Sequence, residues 1–205
     1  MSFVHYFKDI EHKKEDFFSF SENFLDEEII LNSCNNVFSK NEIDYGTKVL
    51  IKAVYDNFDL DGKDCLDLGC GLGVVSIMLL KKFKDAKFVL SDITDISVKL
   101  SKTNLEKNGV KSCEIIKSDL FENIDKNFDF IITNPPIRAG KNLLLKLIDE
   151  SVNKLKDNGK LVLVIRKNHG EESIKKYMET KFNLVEILKR DKGFYVLKGE
   201  KWLLN

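Results

Sequence analysis

From Asp64 onward, the chain alternates short apolar runs of β type with segments of helical periodicity, and this alternation limits the fold more than any other feature. The β-type runs lie at 64–69, 87–92, 113–119, 128–133 and 160–166. Helical patterns separate most of them, at 74–83, 95–108 and 143–155. Runs of this kind pack into a parallel sheet that helices cover on both faces. We therefore expect an α/β fold with a doubly wound sheet.

The end of the chain predicts a different strand arrangement. A helical pattern at 171–182 precedes two further β-type runs, at 183–189 and 194–198. Residues 190–193, with sequence RDKG, separate these runs by a length that suits a hairpin turn. The mostly parallel sheet is therefore expected to finish in an antiparallel pair.

The residues ahead of the core predict a short extension. Residues 16–32 have the pattern of a small β-hairpin, and residues 43–58 place their apolar side chains near one face of a helix. We expect residues 1–40 to form an N-terminal extension packed on the core, and residues 41–205 to form the main domain.

The charge balance limits what the chain can attract. Thirty-three Lys and Arg residues face thirty-three Asp and Glu residues, so the formal net charge is zero. A neutral chain has no general attraction for nucleic acid or anionic lipid, and contact with RNA would need a local basic patch. The first residues lack the apolar region of a signal peptide, and no segment has the apolar length of a membrane span. We expect a cytoplasmic protein.

The cysteines and histidines do not predict a metal site. Cys34, Cys65, Cys70 and Cys113 include no C-x-x-C pair, so we expect reduced thiols rather than a zinc site or disulfides. The three histidines, at positions 5, 12 and 169, have no partner at metal-ligand or catalytic-triad spacing, and surface or turn positions are expected for them.

A glycine-rich segment follows the first core strand. Gly69, Gly71 and Gly73 have the spacing G-x-G-x-G after Asp67, whereas a nicotinamide-binding loop has its third glycine where this chain has Val74. An acidic residue would repel a pyrophosphate but can help to hold an ammonium group. The pattern therefore favours a ligand without phosphate, such as S-adenosylmethionine.

Two further strand ends carry acids. Asp92 ends the second core strand, where a carboxylate can accept hydrogen bonds from both hydroxyls of a ribose. Ser118 and Asp119 end the third strand, where the acid can accept from an adenine amino group. The alternative is that these glycines and acids only form turns and helix caps. The combined pattern favours a nucleoside site at this edge of the sheet.

The chain's only two prolines follow the fourth core strand, in Asn134-Pro135-Pro136. Two prolines stiffen the loop and push Asn134 toward an extended conformation, so that its amide oxygen and neighbouring carbonyls can act as acceptors. Acceptors on both hydrogens of a conjugated amino group stabilise the positive charge that develops when its nitrogen attacks. The tripeptide predicts a catalytic loop for a flat amine, although a simple strand-terminating turn is the alternative.

Together, the segments DLGCGLG and NPPIRAGK and the strand-end acids resemble class I S-adenosylmethionine-dependent methyltransferases. The resemblance is to the small-domain group that includes bacterial ribosomal RNA guanine-N2 methyltransferases, and it extends to residues 37–51 and 189–198. It implies a seven-stranded sheet whose last strand is antiparallel. It also implies that Asn134 contacts the target amine, and that the cofactor is surrounded by Asp67, Gly69, Gly71, Asp92 and Asp119.

The resemblance suggests further site residues. It would place Phe38, Ser39, Asp44 and Gly46 near the methionine end of the cofactor. Many relatives carry an aromatic residue after the two prolines to stack on the target base, whereas this chain has Ile137.

Other residues are candidates for contact with the substrate. Phe38 and Tyr195 could stack on the base in place of that aromatic residue. Arg138 and Lys141 could meet a phosphate or a guanine carbonyl. The basic residues of 166–176 could touch RNA, but solvated charges on a helix are the alternative there.

These features predict a methyltransferase that uses S-adenosyl-L-methionine, without a metal, to modify the exocyclic N2 of a guanine in ribosomal RNA or a ribosomal subunit. Three alternatives stay open: methylation of a protein glutamine amide, a nicotinamide-dependent oxidoreductase, and a non-catalytic binding module of the same fold. The sequence does not specify the nucleotide or the oligomeric state.

Overall fold

The computed structural model describes residues 16–35, 37, 41–110, 113–136 and 140–202. The described strands and helices are, in chain order, β1 Phe17–Phe24, β2 Glu27–Cys34, α1 Tyr45–Asn57, β3 Asp64–Leu68, α2 Val74–Lys82, β4 Lys87–Asp92, α3 Asp95–Lys107, β5 Glu114–Lys117, β6 Phe128–Thr133, α4 Lys141–Lys154, β7 Leu155–Arg166, α5 Glu171–Glu179, β8 Leu184–Asp191 and β9 Phe194–Glu200. A short 3-10 turn, Lys167–His169, joins β7 to α5.

The main sheet has seven strands in the order β5-β4-β3-β6-β7-β9-β8. Strands β3 to β7 pair in parallel, and β9 lies antiparallel between β7 and β8. The predicted sheet, mostly parallel with an antiparallel last strand, is confirmed. The strand order reverses between β3 and β6, and ligands of such sheets bind beside the carboxyl ends of the strands at that reversal.

Several strand boundaries differ from the sequence expectation: β3 ends one residue early, and β8 and β9 each run two residues further than expected, so that Lys192 and Gly193 alone separate β8 from β9. The differences at β5 and β7 are the ones set by a neighbouring strand. Strand β5 ends at Lys117 rather than Asp119, because its neighbour β4 ends at Asp92, the partner of Lys117. Strand β7 begins at Leu155 rather than residue 160, because Leu155 pairs with Phe128 before a register shift. Periodicity alone does not reveal these limits, because they depend on the neighbouring strand.

The two faces of the sheet have separate hydrophobic cores. One face packs on α1, α2 and α3 through buried residues such as Leu50, Ile77 and Leu100. The other packs on α4 and α5 through residues such as Leu147 and Met178. Helices therefore cover both faces, as the apolar strands predicted.

Strands β1 and β2 form the predicted hairpin, which is a separate two-stranded sheet. Its turn residues Leu25 and Asp26 both have positive φ, 55° and 61°, as in the type I′ turns that match the twist of a hairpin. The side-chain oxygens of Asn104 and Asn108, on α3, accept from the backbone N–H groups of Asn32 and Ile30 at 2.7 and 3.0 Å. These hydrogen bonds attach the hairpin to α3, on the face of the main sheet that α1, α2 and α3 cover.

None of the described helices is both long and apolar enough to cross a membrane.

Candidate functional site

The glycine loop lies between β3 and α2, at the carboxyl edge of the sheet. Gly69, Gly71 and Gly73 all have positive φ, at 73°, 54° and 80°. A side chain on Gly69 or Gly71 would meet no atom within 4 Å, so at these two positions glycine is required by the backbone conformation and not by crowding. The backbone of both residues faces open space that a ligand could occupy.

Gly73 differs from the other two glycines because atoms of α3 lie close to it. A Cβ at this position would lie 3.2 Å from the Cβ of Ser101 on α3. Gly73 therefore allows α2 and α3 to approach each other at the start of α2. Contact between Gly73 and a cofactor stays a prediction.

Asp92, at the end of β4, shapes the glycine loop. Its Oδ2 accepts from the backbone N–H of Gly71 at 3.0 Å, and its Oδ1 accepts from the N–H and the hydroxyl of Thr94 at 3.0 and 3.1 Å. A carboxylate offers about four lone-pair positions, so capacity to accept from a ligand remains. The side chain is only partly buried, which leaves it within reach of a ligand.

Asp67 lies beneath the loop rather than on its surface. Its side chain is 2% exposed, and its Oδ2 accepts from both the backbone N–H and the hydroxyl of Ser76 at 3.2 and 2.7 Å. Ser76 belongs to the first turn of α2, where N–H groups favour a negative charge. Burial nevertheless raises the pKa of Asp67 to about 6, and the bonds from Ser76 oppose that rise.

The end of β5 lies beside Asp92. The backbone N–H of Ser118 donates to the carbonyl oxygen of Asp92 at 2.9 Å, and the Ser118 hydroxyl oxygen accepts from the N–H of Asn123 at 3.0 Å. Ser118 is buried, whereas Asp119 is partly exposed. The structure therefore brings the loop, Asp92 and Asp119 to one edge of the sheet, with Ser118 as an internal support.

Asn134 lies next to the glycine loop because β3 and β6 are neighbours. The hydroxyl of Thr133 donates to the carbonyl oxygen of Leu68 at 2.8 Å, which holds the two strand ends together. Gly69 and Asn134 are the residues that follow these two strand ends. The predicted cofactor loop and the predicted catalytic loop therefore begin side by side.

The side-chain amide of Asn134 is held by the first turn of α1. Its Nδ2 donates to Asp44 Oδ2 at 3.0 Å and to Thr47 Oγ1 at 2.9 Å. Asp44 is also the N-cap of α1, where Oδ2 accepts from the N–H of Thr47 at 3.1 Å. An ionised carboxylate only accepts hydrogen bonds, so the NH₂ group of Asn134 must face Asp44. The amide oxygen is thereby left to accept from a different group.

Sequence reasoning missed Thr47. The residues Asp44 and Thr47 have the spacing of a helix N-cap, which is a local signal. The contact with Asn134 joins residues about 90 positions apart in the chain, and no local pattern reveals it. The resemblance placed Asp44 near the cofactor, and the structure adds a contact with the predicted catalytic amide.

Gly46 lies in the same turn, and it makes room for an aromatic ring. A Cβ on Gly46 would lie 2.8 Å from Phe194 Cε1 and 2.9 Å from Asp44 Oδ2. Glycine therefore allows β9 to pack closely on the start of α1. Contact of Gly46 with the cofactor stays a prediction.

The two prolines line a small groove between their loop and α4. A cavity of about 160 Å³ is bounded by residues of the loop, α4, α5 and the 3-10 turn before α5, among them Pro135, Pro136, Lys141, Leu144, His169 and Ile174. Its walls are largely apolar, and Lys141 adds a cation. A groove of this kind can accept one face of a flat ring.

Of the other residues predicted to contact the cofactor or the substrate, some lie outside the described part of the chain, and one packs away from this groove. Phe38, Ser39, Ile137 and Arg138 lie outside the described residues. Tyr195 packs with the core of α4 and α5, and the Arg190 guanidinium lies 5.4 Å from its ring centroid. Within the described ranges, no group of three or more His, Cys, Asp or Glu residues could hold a metal ion.

This chain is similar in sequence to known bacterial proteins. A Bacillus subtilis protein named uncharacterized protein YbxB is 35% identical over 199 residues, which are 96% of this chain and 98% of the relative. Ribosomal RNA small subunit methyltransferase C of Buchnera aphidicola is 37% identical over 145 residues, covering 68% of this chain and 44% of the relative.

Among solved structures, one is described as the T. thermophilus 16S rRNA N2 G1207 methyltransferase in complex with AdoMet and guanosine. It shares 26% identity and a TM-score of 0.80 over 90% of this chain and 50% of that chain. The present chain thus spans half or less of the length of the two ribosomal RNA methyltransferases.

Residues 28–198 match the family model described as "Methyltransferase small domain". This range includes the glycine loop, the strand-end acids and Asn134. The resemblance seen in the sequence is confirmed, and the chain belongs to the methyltransferase small domain family.

Proposed function

We propose that this chain transfers the methyl group of S-adenosyl-L-methionine to the exocyclic N2 of a guanine in ribosomal RNA. The observation that carries the proposal is the orientation of Asn134. Its NH₂ group is held by Asp44 and Thr47, so its oxygen is available to accept from a substrate amine. The described T. thermophilus relative, which methylates guanine N2 and holds guanosine, supports this choice of amine.

The residues present fit the cofactor. Gly69 and Gly71 expose backbone to open space, and Asp92 has about one of its four lone-pair positions left for a ribose hydroxyl. When bound, S-adenosyl-L-methionine supplies a methyl group already activated by the positive sulfur. In the proposed site, this cofactor contacts residues of the three strand ends and the start of α1, namely Asp67, Gly69, Gly71, Gly73, Asp92, Ser118, Asp119, Asp44 and Gly46. Phe38, which lies outside the described residues, stays a further cofactor contact expected from the resemblance.

The chain's own part in the reaction is to bind and orient the amine. Asn134 Oδ1 accepts one N–H of the amino group, and the carbonyl oxygen of Pro135 accepts the other. Both acceptors are neutral, so they stabilise the developing positive charge on nitrogen without forming a fixed ion pair. The orientation of the amine toward the methyl group also increases the rate of transfer. The proton leaves to water afterwards.

The groove beside the prolines is the proposed place for the guanine ring. Pro135, Pro136 and the groove's apolar wall contact the face of the ring, and Lys141 reaches its carbonyl oxygen or a phosphate. Ile137 and Arg138 follow the prolines directly and belong to the same proposed substrate surface.

The domain division also stays a proposal. We assign residues 1–40 to an extension packed on the core and residues 41–205 to the methyltransferase domain. The attachment of the described hairpin to α3 supports this division. The cytoplasmic location remains a prediction from the sequence.

The proposal is tested by incubating the protein with methyl-labelled S-adenosyl-L-methionine and either naked small-subunit ribosomal RNA or assembled small subunits. We expect label that RNase releases and that is recovered as N2-methylguanosine. Label that resists RNase but is released by protease would identify a protein acceptor instead and contradict the proposed substrate.

Asn134→Ala tests the mechanism. Loss of one preorganised hydrogen bond to the reacting group lowers kcat by about 10² to 10³-fold, while calorimetry should show unchanged cofactor affinity. Asn183→Ala is the matched control, because Asn183 is exposed and its side-chain oxygen accepts from the backbone N–H of Trp202, far from the site. A near-normal kcat for Asn134→Ala would remove Asn134 from the mechanism.

A further inference from the structure

Two exposed cations lie over aromatic rings beside the proposed active site. The guanidinium carbon of Arg166, at the end of β7, is 4.6 Å from the ring centroid of Phe194. The Nζ of Lys192, in the turn between β8 and β9, is 4.9 Å from the ring centroid of Tyr45. The two rings contact each other, with centroids 5.7 Å apart. We name Arg166, Phe194, Tyr45 and Lys192 the cation–aromatic cluster.

The cations of this cluster have no carboxylate partner in the part of the chain that the structure describes. Among the described residues, neither Arg166 nor Lys192 forms an ion pair, and both are exposed. The basic side chains of the neighbouring helix α5 differ, because Lys175 pairs with Glu179 and Lys176 pairs with Glu172. Only part of the basic stretch at 166–176 therefore offers free positive charge.

The rings orient the cations. Phe194 is 8% exposed and Tyr45 is partly buried, so the rings are fixed by packing. A cation over a ring face is attracted to it and loses some of its freedom. The guanidinium of arginine keeps its planar set of donors when it lies over a ring, and phosphate oxygens match that set. The cluster is thus organised for an anion before one binds.

The cluster is built on the same helical turn that holds Asn134. Tyr45 lies between Asp44 and Thr47 in sequence, and Gly46 leaves the space that the Phe194 ring fills. The same turn therefore contacts both the predicted catalytic amide and the rings that lie under the two cations.

We propose that the cation–aromatic cluster binds backbone phosphates of the RNA next to the target guanine. This inference rests on the proposed function, and it identifies the surface that holds the RNA strand. The chain has no net charge, so a local group of free cations has to supply the attraction. Phosphate contacts by Arg and Lys give much of the affinity and set the position of the strand, while the groove at the prolines selects the base.

The test compares two double variants that remove the same charge. Arg166→Gln with Lys192→Gln removes the free cations, and Lys175→Gln with Lys176→Gln removes two paired ones as the matched control. Methylation of ribosomal RNA is measured at several salt concentrations, with KM for RNA and kcat determined separately. Cofactor affinity and thermal unfolding are measured on each protein, to show that the fold and the cofactor site are intact.

We expect the cluster variant to raise KM for RNA by about tenfold or more, with kcat at saturating RNA nearly unchanged. The slope of log(kcat/KM) against log salt should become shallower by about 0.7 to 0.9 for each phosphate that the variant no longer binds. The α5 control should keep the wild-type slope, and its KM should change less than twofold.

Three results would overturn the inference. If the wild-type enzyme is active and the cluster variant has the same KM and salt slope, the cluster does not bind RNA. The proposed function would then still stand. An equal change in both double variants would show a general charge effect. If the wild-type protein methylated a protein instead of RNA, the proposed substrate would fall and the RNA surface with it.

Discussion

The ends of β4 and β6 each carry a polar side chain of the proposed site, and the two are held in different ways. Asp92, at the end of β4, accepts from Gly71 and Thr94, which belong to the turns after β3 and β4. Asn134, after β6, is held by Asp44 and Thr47 from the start of α1. The cofactor half of the site is thus built from adjacent strand–helix units, whereas the acceptor half depends on an element from a distant part of the chain.

Because of this difference, we expect changes in one half to affect cofactor binding and changes in the other half to affect methyl transfer. The carboxylate of Asp92 shapes the loop that would hold the cofactor, so its removal should affect cofactor binding. The hydrogen bonds from Asn134 to Asp44 and Thr47 set the direction of the amide. Asp44 is also a proposed cofactor contact, so the removal of the Thr47 hydroxyl is the change that should affect the rate of methyl transfer alone. The two halves can be tested independently, because no described hydrogen bond joins Asp92 to Asn134.

The largest expected effect on cofactor affinity comes from Asp92→Ala. This variant loses hydrogen bonds to a charged acceptor, each of which contributes about 1.5 to 3 kcal/mol, so the Kd for S-adenosyl-L-methionine should rise about a hundredfold. Calorimetry measures the affinity, and kcat at saturating cofactor should fall much less. Asp95→Ala, at an exposed carboxylate three positions away, is the control. An unchanged Kd with a reduced kcat would contradict the proposal that Asp92 acts in cofactor binding rather than in methyl transfer.

Asp67 sharpens the comparison, because the cofactor half contains a buried carboxyl and the acceptor half uses a neutral amide. Burial raises the pKa of Asp67 from 3.8 to about 6, so the folded protein binds this proton more tightly than the unfolded chain does. The stability that this carboxyl contributes is fully present below its ordinary pKa and is lost as the pH rises through about 6.

The matched variant is Asp67→Asn, which cannot ionise. Wild-type protein should lose roughly 2 kcal/mol of unfolding free energy relative to this variant between about pH 4.5 and 7.5. Urea unfolding at several pH values measures the difference, with Asp95→Asn as the exposed control. A difference between wild type and Asp67→Asn that does not change with pH would contradict the raised pKa.

The smallest expected effect concerns Thr47 and the acceptor half. Thr47→Val keeps the shape of the side chain but removes one of the two acceptors that hold the Asn134 amide. We expect kcat to fall about tenfold, which corresponds to one hydrogen bond of about 1.4 kcal/mol, with unchanged cofactor affinity. Thr47→Ser, which keeps the hydroxyl, should restore most of the rate. A wild-type kcat for Thr47→Val, or a kcat for Thr47→Ser as low as that of Thr47→Val, would contradict the role of this hydrogen bond.

The sequence predicted most elements of the core well. Strands β4 and β6 have the bounds that their apolar runs indicated, and the hairpin β1–β2 lies where its alternating pattern placed it. Each of these signals involves residues close together in the chain. The early end of β5 was missed because it is set by the length of β4, which is a pairing partner rather than a neighbour in sequence.

The candidate site shows the same division. The glycines, Asp92 and the Asn-Pro-Pro segment were found because strand ends, turns and stiff loops have local signatures. The basic stretch at 166–176 was a weaker guide, because the sequence does not show which of its cations are paired. The structure separates free Arg166 from paired Lys175 and Lys176, and it adds Lys192 from the next hairpin.

The sequence by itself determined the sheet with its helices on both faces and the order of chemical groups along its edge, because hydrophobic period and turn chemistry act over a few residues. Only the tertiary structure decided which way the Asn134 amide faces and which cations stay free beside it. Both depend on contacts between residues far apart in the chain, such as Asp44 with Asn134 and Tyr45 with Phe194. Such contacts exist only after α1 and β9 have packed at the same end of the sheet.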